Sequence, residues 1–147
     1  MAITNFMSDD HHRCDELFAA AEHVVDENDW EKAQGVVTTF LTAMEEHFAM
    51  EEEALFLQFE AASGSTMGPT QVMRHEHQQM RQLFAQMQDA LQNKDANSFL
   101  GASETLLILM QQHNMKEEQM LYPMTDRFLN SDEMIASMKK INSFYAG

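Results

Sequence analysis

A chain of 147 residues, 44% of them hydrophobic, has the size of one domain with a sizeable core. Its formal net charge of −15 sets it against nucleic-acid phosphates and anionic lipid. No stretch approaches the roughly 20 apolar residues of a membrane span. The lone cysteine, Cys14, excludes an internal disulfide, and the start MAITNFMSDD has neither a basic head nor an apolar run. Both features point to a reducing compartment, the cytoplasm, with no signal peptide. With five Gly, two Pro and few β-branched runs, the composition favours helices over a sheet.

The first helix is expected to start at Ser8, a good N-cap, and carries the apolar stripe Cys14, Phe18, Ala21 and Val25. A turn at Glu27-Asn28-Asp29 follows, with Asp29 placed to cap a second helix through Val37, Phe40, Met44 and Phe48 to about Glu60. The segment Ala61 to Pro69, with Thr66 and Met67 inside it, reads as the main loop, and Pro69 suits the first turn of helix three. Helix three carries Met73, Met80, Phe84, Met87 and Leu91. After a turn at Asn93-Lys94-Asp95, helix four carries Phe99, Leu106, Met110 and Met120, with Pro123 expected to end or kink it. Ser131 is expected to cap a short last helix through Met134, Ile135 and Met138, covering the bundle end or making a dimer contact. The expectation is an all-α, antiparallel up-down four-helix bundle with a short C-terminal extra helix. It forms one domain over 1–147, with the bundle at about 8–125 and the last helix at about 131–143. The fourteen methionines fall at helical spacing and read as core filler.

The two halves repeat. Asp10 to Ala20 (DHHRCDELFAA) resembles Glu76 to Gln86 (EHQQMRQLFAQ), and Met44 to Phe56 (MEEHFAMEEEALF) resembles Met110 to Tyr122 (MQQHNMKEEQMLY). One offset of 66 residues aligns both pairs and maps His11 onto His77, His47 onto His113 and Glu51 onto Glu117. The offset selects His11 over His12 and His77 over His75. Helix geometry agrees: His77 lies on the stripe of Met73, Met80 and Phe84, and His75 is about 200° round. His12, His23 and His75 read as surface residues.

His47 and Glu51, like His113 and Glu117, are four residues apart on the apolar faces of their helices. Carboxylates there are costly unless paired. His11 and His47 are equidistant from residue 29 in the first turn, His77 and His113 from residue 95, and His47 and His77 from residue 62. In an antiparallel bundle all four imidazoles therefore share one layer, with both glutamates a turn away. Four nitrogens and two carboxylates exceed a single tetrahedral zinc and suit two bridged metals with open positions. The competing reading is a polar layer in which Arg13, Arg74 or Arg81 neutralises the acids. Cys14, one turn from His11, reads as a small buried residue, a redox role being the alternative. Glu52, Glu118 and Tyr122 flank the site.

The ordered set His11, His47-x-x-x-Glu51, His77, His113-x-x-x-Glu117 resembles the hemerythrin-like HHE cation-binding domain over roughly residues 8 to 125. The resemblance implies a four-helix bundle with a non-haem centre of two Fe ions, bridged by both carboxylates and by an oxo or hydroxo group. Manganese or zinc are the other metals the donors admit. The oxygen-carrying hemerythrins have HxxxH on the third helix, where this chain has Met73 and Arg81 four residues either side of His77. Their last motif ends in aspartate five residues after its histidine, whereas Glu117 follows His113 at four. The pattern is nearer to repair-of-iron-centres and stand-alone HHE proteins, the former usually with an extra cysteine-bearing domain. Family members bind or sense a small ligand such as oxygen or nitric oxide, or act on nitric oxide or peroxide. A sensor or binder with a dry pocket near Phe18, Phe40, Met44, Phe84 and Met110 is therefore expected. The alternatives are a di-iron enzyme acting on peroxide, nitric oxide or ferrous iron, and an iron-handling or repair protein.

Overall fold

The computed structural model describes residues 1–64 and 68–146. Among them there is no strand. Four long helices dominate: α1 (Ile3–Asp26), α2 (Trp30–Met50), α4 (Pro69–Gln92) and α5 (Ala96–Lys116). Two of them are prolonged. A π turn, Glu51–Leu55, carries α2 into α3 (Phe56–Ser63), and a second, Glu117–Leu121, carries α5 into α6 (Tyr122–Phe128). Helices α7 (Ser131–Ile141) and α8 (Ser143–Ala146) complete the chain.

Partners across the helices descend along one rod as they ascend along the other. Thr70 with Glu60, His77 with Glu52 and Arg81 with Glu45 join α4 to the α2–α3 rod. Ile3 with Asp126 and His11 with Glu118 join α1 to the α5–α6 rod. Such pairing fits an antiparallel four-helix bundle.

The tight turns form as their residues dictate. Asp29 accepts from the Lys32 N–H, and Asp95 accepts from the Ser98 N–H. Asn28 (φ 57°) and Lys94 (φ 51°) take the left-handed conformation that reverses the chain. Gly64, at φ 73°, ends α3, and Pro69 is the first residue of α4. The centre of the expected loop, Thr66 and Met67, lies outside the described residues.

Four expectations are corrected. Helix α1 begins at Ile3, not Ser8, because the Asp126 carboxylate accepts from the Ile3 N–H (2.7 Å), the Thr4 N–H (3.1 Å) and the Thr4 hydroxyl (2.6 Å). A cap delivered from the far end of the chain leaves no local signature. Asn130, not Ser131, caps α7 by accepting from the Glu133 N–H at 3.0 Å. Pro123 does not end the fourth helix, which α6 carries on to Phe128. The π turn before it has already interrupted the regular ladder, so a missing N–H removes less there. Met120 is not on the apolar stripe but 64% exposed. The π turn leaves Met120, three on from Glu117, outside, while Leu121, four on and on the stripe of His113 and Glu117 by its spacing, is buried.

The apolar interior is split in two. One cluster, toward the tight turns, packs Phe18, Phe40, Phe48, Phe84, Phe99, Leu106 and their neighbours. The other, toward the chain start and α7, packs Ile3, Met7, Met50, Phe56, Phe59, Met73 and Leu121. His11, His47, His77 and His113 fall between the two along their helices. No helix among the described residues is long and apolar enough to cross a membrane.

Candidate metal centre

All six expected residues converge, and each is at most 3% exposed. The His11 and His47 rings lie 4.6 Å apart, and the His77 and His113 rings 5.0 Å apart. One layer holds all four, as the turn distances require. Each glutamate stands between the two hairpins. Glu51 Oε1 is 3.7 Å from His47 Nε2 and 3.0 Å from His77 Nε2. Glu117 Oε1 is 3.1 Å from His11 Nε2 and 3.2 Å from His113 Nε2. The 66-residue repeat is therefore a symmetry of the site itself. His12, His23 and His75 are exposed.

Each imidazole is held from behind by a carboxylate of another helical rod. His47 Nδ1 donates to Asp10 at 2.7 Å, His113 Nδ1 to Glu76 at 2.8 Å, His77 Nδ1 to Glu52 at 2.6 Å and His11 Nδ1 to Glu118 at 2.6 Å. A carboxylate can only accept, so Nδ1 carries the proton and Nε2 is aimed inward. Three of these carboxylates are themselves clamped by a cation: Asp10 by Arg13, Glu52 by Arg81 and Glu76 by Lys116. Arg74 pairs with Glu60. The arginines thus serve the outer acids, and Glu51 and Glu117 have histidines as their charged partners. The reading in which arginines neutralise the inner pair fails.

Glu52 and Glu118 stand where the sequence puts them, beside the site. Asp10 and Glu76 escape a reading confined to the apolar face, yet they open the two repeated segments, at the same 66-residue offset. That coincidence is the signal that finds them. The last helices also reach this outer layer. Tyr145 donates to Asp10 at 2.6 Å, and α7 packs on α1, α2 and the first π turn.

Both π turns begin at the inner glutamates, Glu51 and Glu117. Proline follows only the second, so proline is not their cause. Each turn brings its carboxylate and the next one to the two ring nitrogens of one histidine: Glu51 and Glu52 to Nε2 and Nδ1 of His77, Glu117 and Glu118 to Nε2 and Nδ1 of His11.

The electrostatics are those of a crowded buried charge cluster. Burial alone would lower the His11 pKa, but hydrogen bonds to Glu117 and Glu118 raise it to about 9. Burial likewise opposes protonation of His113, yet the Glu117 charge and its hydrogen bonds to Glu117 and Glu76 raise it to about 10. Burial and the adjacent Glu117 charge push Glu51 up, while the imidazoles, despite burial, hold Glu117 well below the carboxylate range. Cys14 is buried in the apolar cluster, and burial pushes its thiol up, away from a reactive thiolate.

The donors fit a metal. Among the described residues, five buried side-chain nitrogen or oxygen atoms lack a hydrogen-bond partner. Four of them are Glu51 Oε1, His77 Nε2, His113 Nε2 and Glu117 Oε2. Some stand about 3 Å from one another but are not aligned to bond, as befits atoms aimed at a shared point. Two groups bring donor atoms within 4.8 Å of one another: Glu51, His77, His113 and Glu117, and His11, His47 and Glu117.

The hemerythrin HHE cation binding domain profile matches residues 2–125. The chain belongs to this family. No curated protein and no solved structure matches it. Among the described residues of this hemerythrin-family chain, the His/Glu layer is where a cation would be held.

Proposed function

We propose that this protein carries a non-haem di-iron centre and uses it to bind or sense a small ligand such as oxygen or nitric oxide. His11 and His47 would hold one iron, His77 and His113 the other, with Glu51 and Glu117 shared between them. The observation that carries this reading is the set of inward, orphaned donor atoms backed by four carboxylate-oriented imidazoles. The irons would supply redox and ligand-binding chemistry. The chain's own residues fix their spacing, supply two negative charges and keep water out.

The surroundings favour a dry site. Phe48 stacks on His77 with ring centres 3.9 Å apart, and Phe84 stacks on Phe48 at 6.0 Å. Phe40 and Phe18 continue this aromatic column into the core. Such walls admit a diatomic molecule and disfavour a bulky polar substrate.

Metal analysis of protein purified without added metal, followed by stopped-flow absorbance of the ferrous form mixed with oxygen or nitric oxide, tests the proposal. Two irons per chain and a spectral change within the mixing experiment are expected. One zinc per chain, or ferrous protein inert to both gases, refutes it.

A further inference from the structure

One difference between the two halves of the centre puts an oxygen on one side only. The 66-residue offset pairs Tyr122 with Phe56. Both side chains are fully buried, but only one carries an oxygen. Tyr122 Oη sits inside the donor cluster: 2.8 Å from Glu51 Oε2, 2.9 Å from Glu117 Oε1, 3.2 Å from His11 Nε2 and 3.4 Å from His47 Nε2. Phe56 instead faces His77 with its ring, 5.9 Å between centres.

Those four distances are informative. In an octahedral site with bonds of about 2.1 Å, neighbouring donors lie about 3.0 Å apart, and each donor has four such neighbours. An oxygen that merely capped one carboxylate would have no reason to approach two imidazole nitrogens as closely. The inner carboxylates and the His11/His47 pair supply the four neighbours, one each. On the other side, the rings of Phe48 and Phe56 stack on His77, with 3.9 and 5.9 Å between centres.

We infer that Tyr122 is a seventh protein donor, a phenolate ligand to the metal held by His11 and His47, so that the small ligand binds at the other metal, held by His77 and His113. Ligation exchanges the O–H bond for an O–metal bond and releases one proton to solvent. A bound cation reverses the local field that two carboxylates impose on the phenol, as it does for coordinated thiols and water. The two metals are then unequal. One is closed by oxygen and nitrogen donors, and the other keeps its open positions against an apolar aromatic wall.

The inference rests on the di-iron reading, and the test separates the two. Wild type and Tyr122→Phe, each loaded with ferrous iron and then air-oxidised, are compared by iron content, visible absorbance and resonance Raman spectroscopy. The expected result is two irons per chain in both, with a phenolate-to-iron(III) charge-transfer band and tyrosinate ring modes in the wild type only. The wild-type Raman spectrum decides the matter even if the variant folds poorly. Two irons per chain without tyrosinate modes in the wild type overturns the Tyr122 assignment and leaves the di-iron reading standing. Fewer than two metals per chain in the wild type overturns both.

Discussion

Removing the metal is expected to cost this protein much of its stability. Four orphaned atoms in the layer, on Glu51, His77, His113 and Glu117, lose the only partner that could satisfy them together. An unsatisfied buried polar group costs about 1–3 kcal/mol, so the four amount to about 4–12 kcal/mol. The lower end applies near neutral pH, because protonated His11 and His113, with pKa values raised to about 9 and about 10, then offset the carboxylate charge. For 147 residues, an unfolding entropy of about 2.1 cal/mol/K per residue makes 1 kcal/mol worth about 3 °C. Calorimetry of the iron-loaded protein, the chelated protein and the reloaded protein should therefore show a reversible loss of about 12 °C. The loss should grow with pH. A histidine raised above its unfolded value of about 6.5 contributes stability that is complete below that value and vanishes as pH rises through the folded value. The metal-free form thus weakens between about pH 7 and 10, while in the loaded form the metal has replaced those protons. A difference under about 3 °C, or one that shrinks toward pH 10, would refute this account of the layer.

Other perturbations have separable outcomes. Glu76→Gln weakens the hold on His113 Nδ1 and releases Lys116, and chelator competition should show metal affinity falling about 10- to 100-fold. Asp126→Ala removes three bonds at the start of α1, at about 1–2 kcal/mol, or roughly 3–6 °C by thermal melt, with the visible spectrum of the loaded protein unchanged. Phe40→Ala opens a cavity in the fully buried aromatic column and should cost about 3–5 kcal/mol in a denaturant titration, with metal stoichiometry retained.

What the sequence determined by itself is whatever depends on spacing along one helix or on distance from a turn. The stripe of Phe40, Met44, His47 and Glu51 follows from a 3.6-residue period. The single level of four histidines follows from equal counts back to three turns. The repeat chose His11 over His12 without any coordinate. Partners that meet only across the fold required the tertiary structure. Asp126 caps α1 from more than 120 residues away, and no local pattern around Ser8 reveals that competitor. The second π turn left Met120 outside, while Leu121 is buried as its spacing from His113 and Glu117 predicts. Asp10 and Glu76 became intelligible as the backing of His47 and His113 only when α1 met α2 and α4 met α5. Tyr122 is the sharpest case. In the sequence it is one aromatic residue flanking a motif, with phenylalanine at its repeat. The fold sets its oxygen among four donor atoms, because a side chain's chemistry is decided by the neighbours that distant segments bring to it.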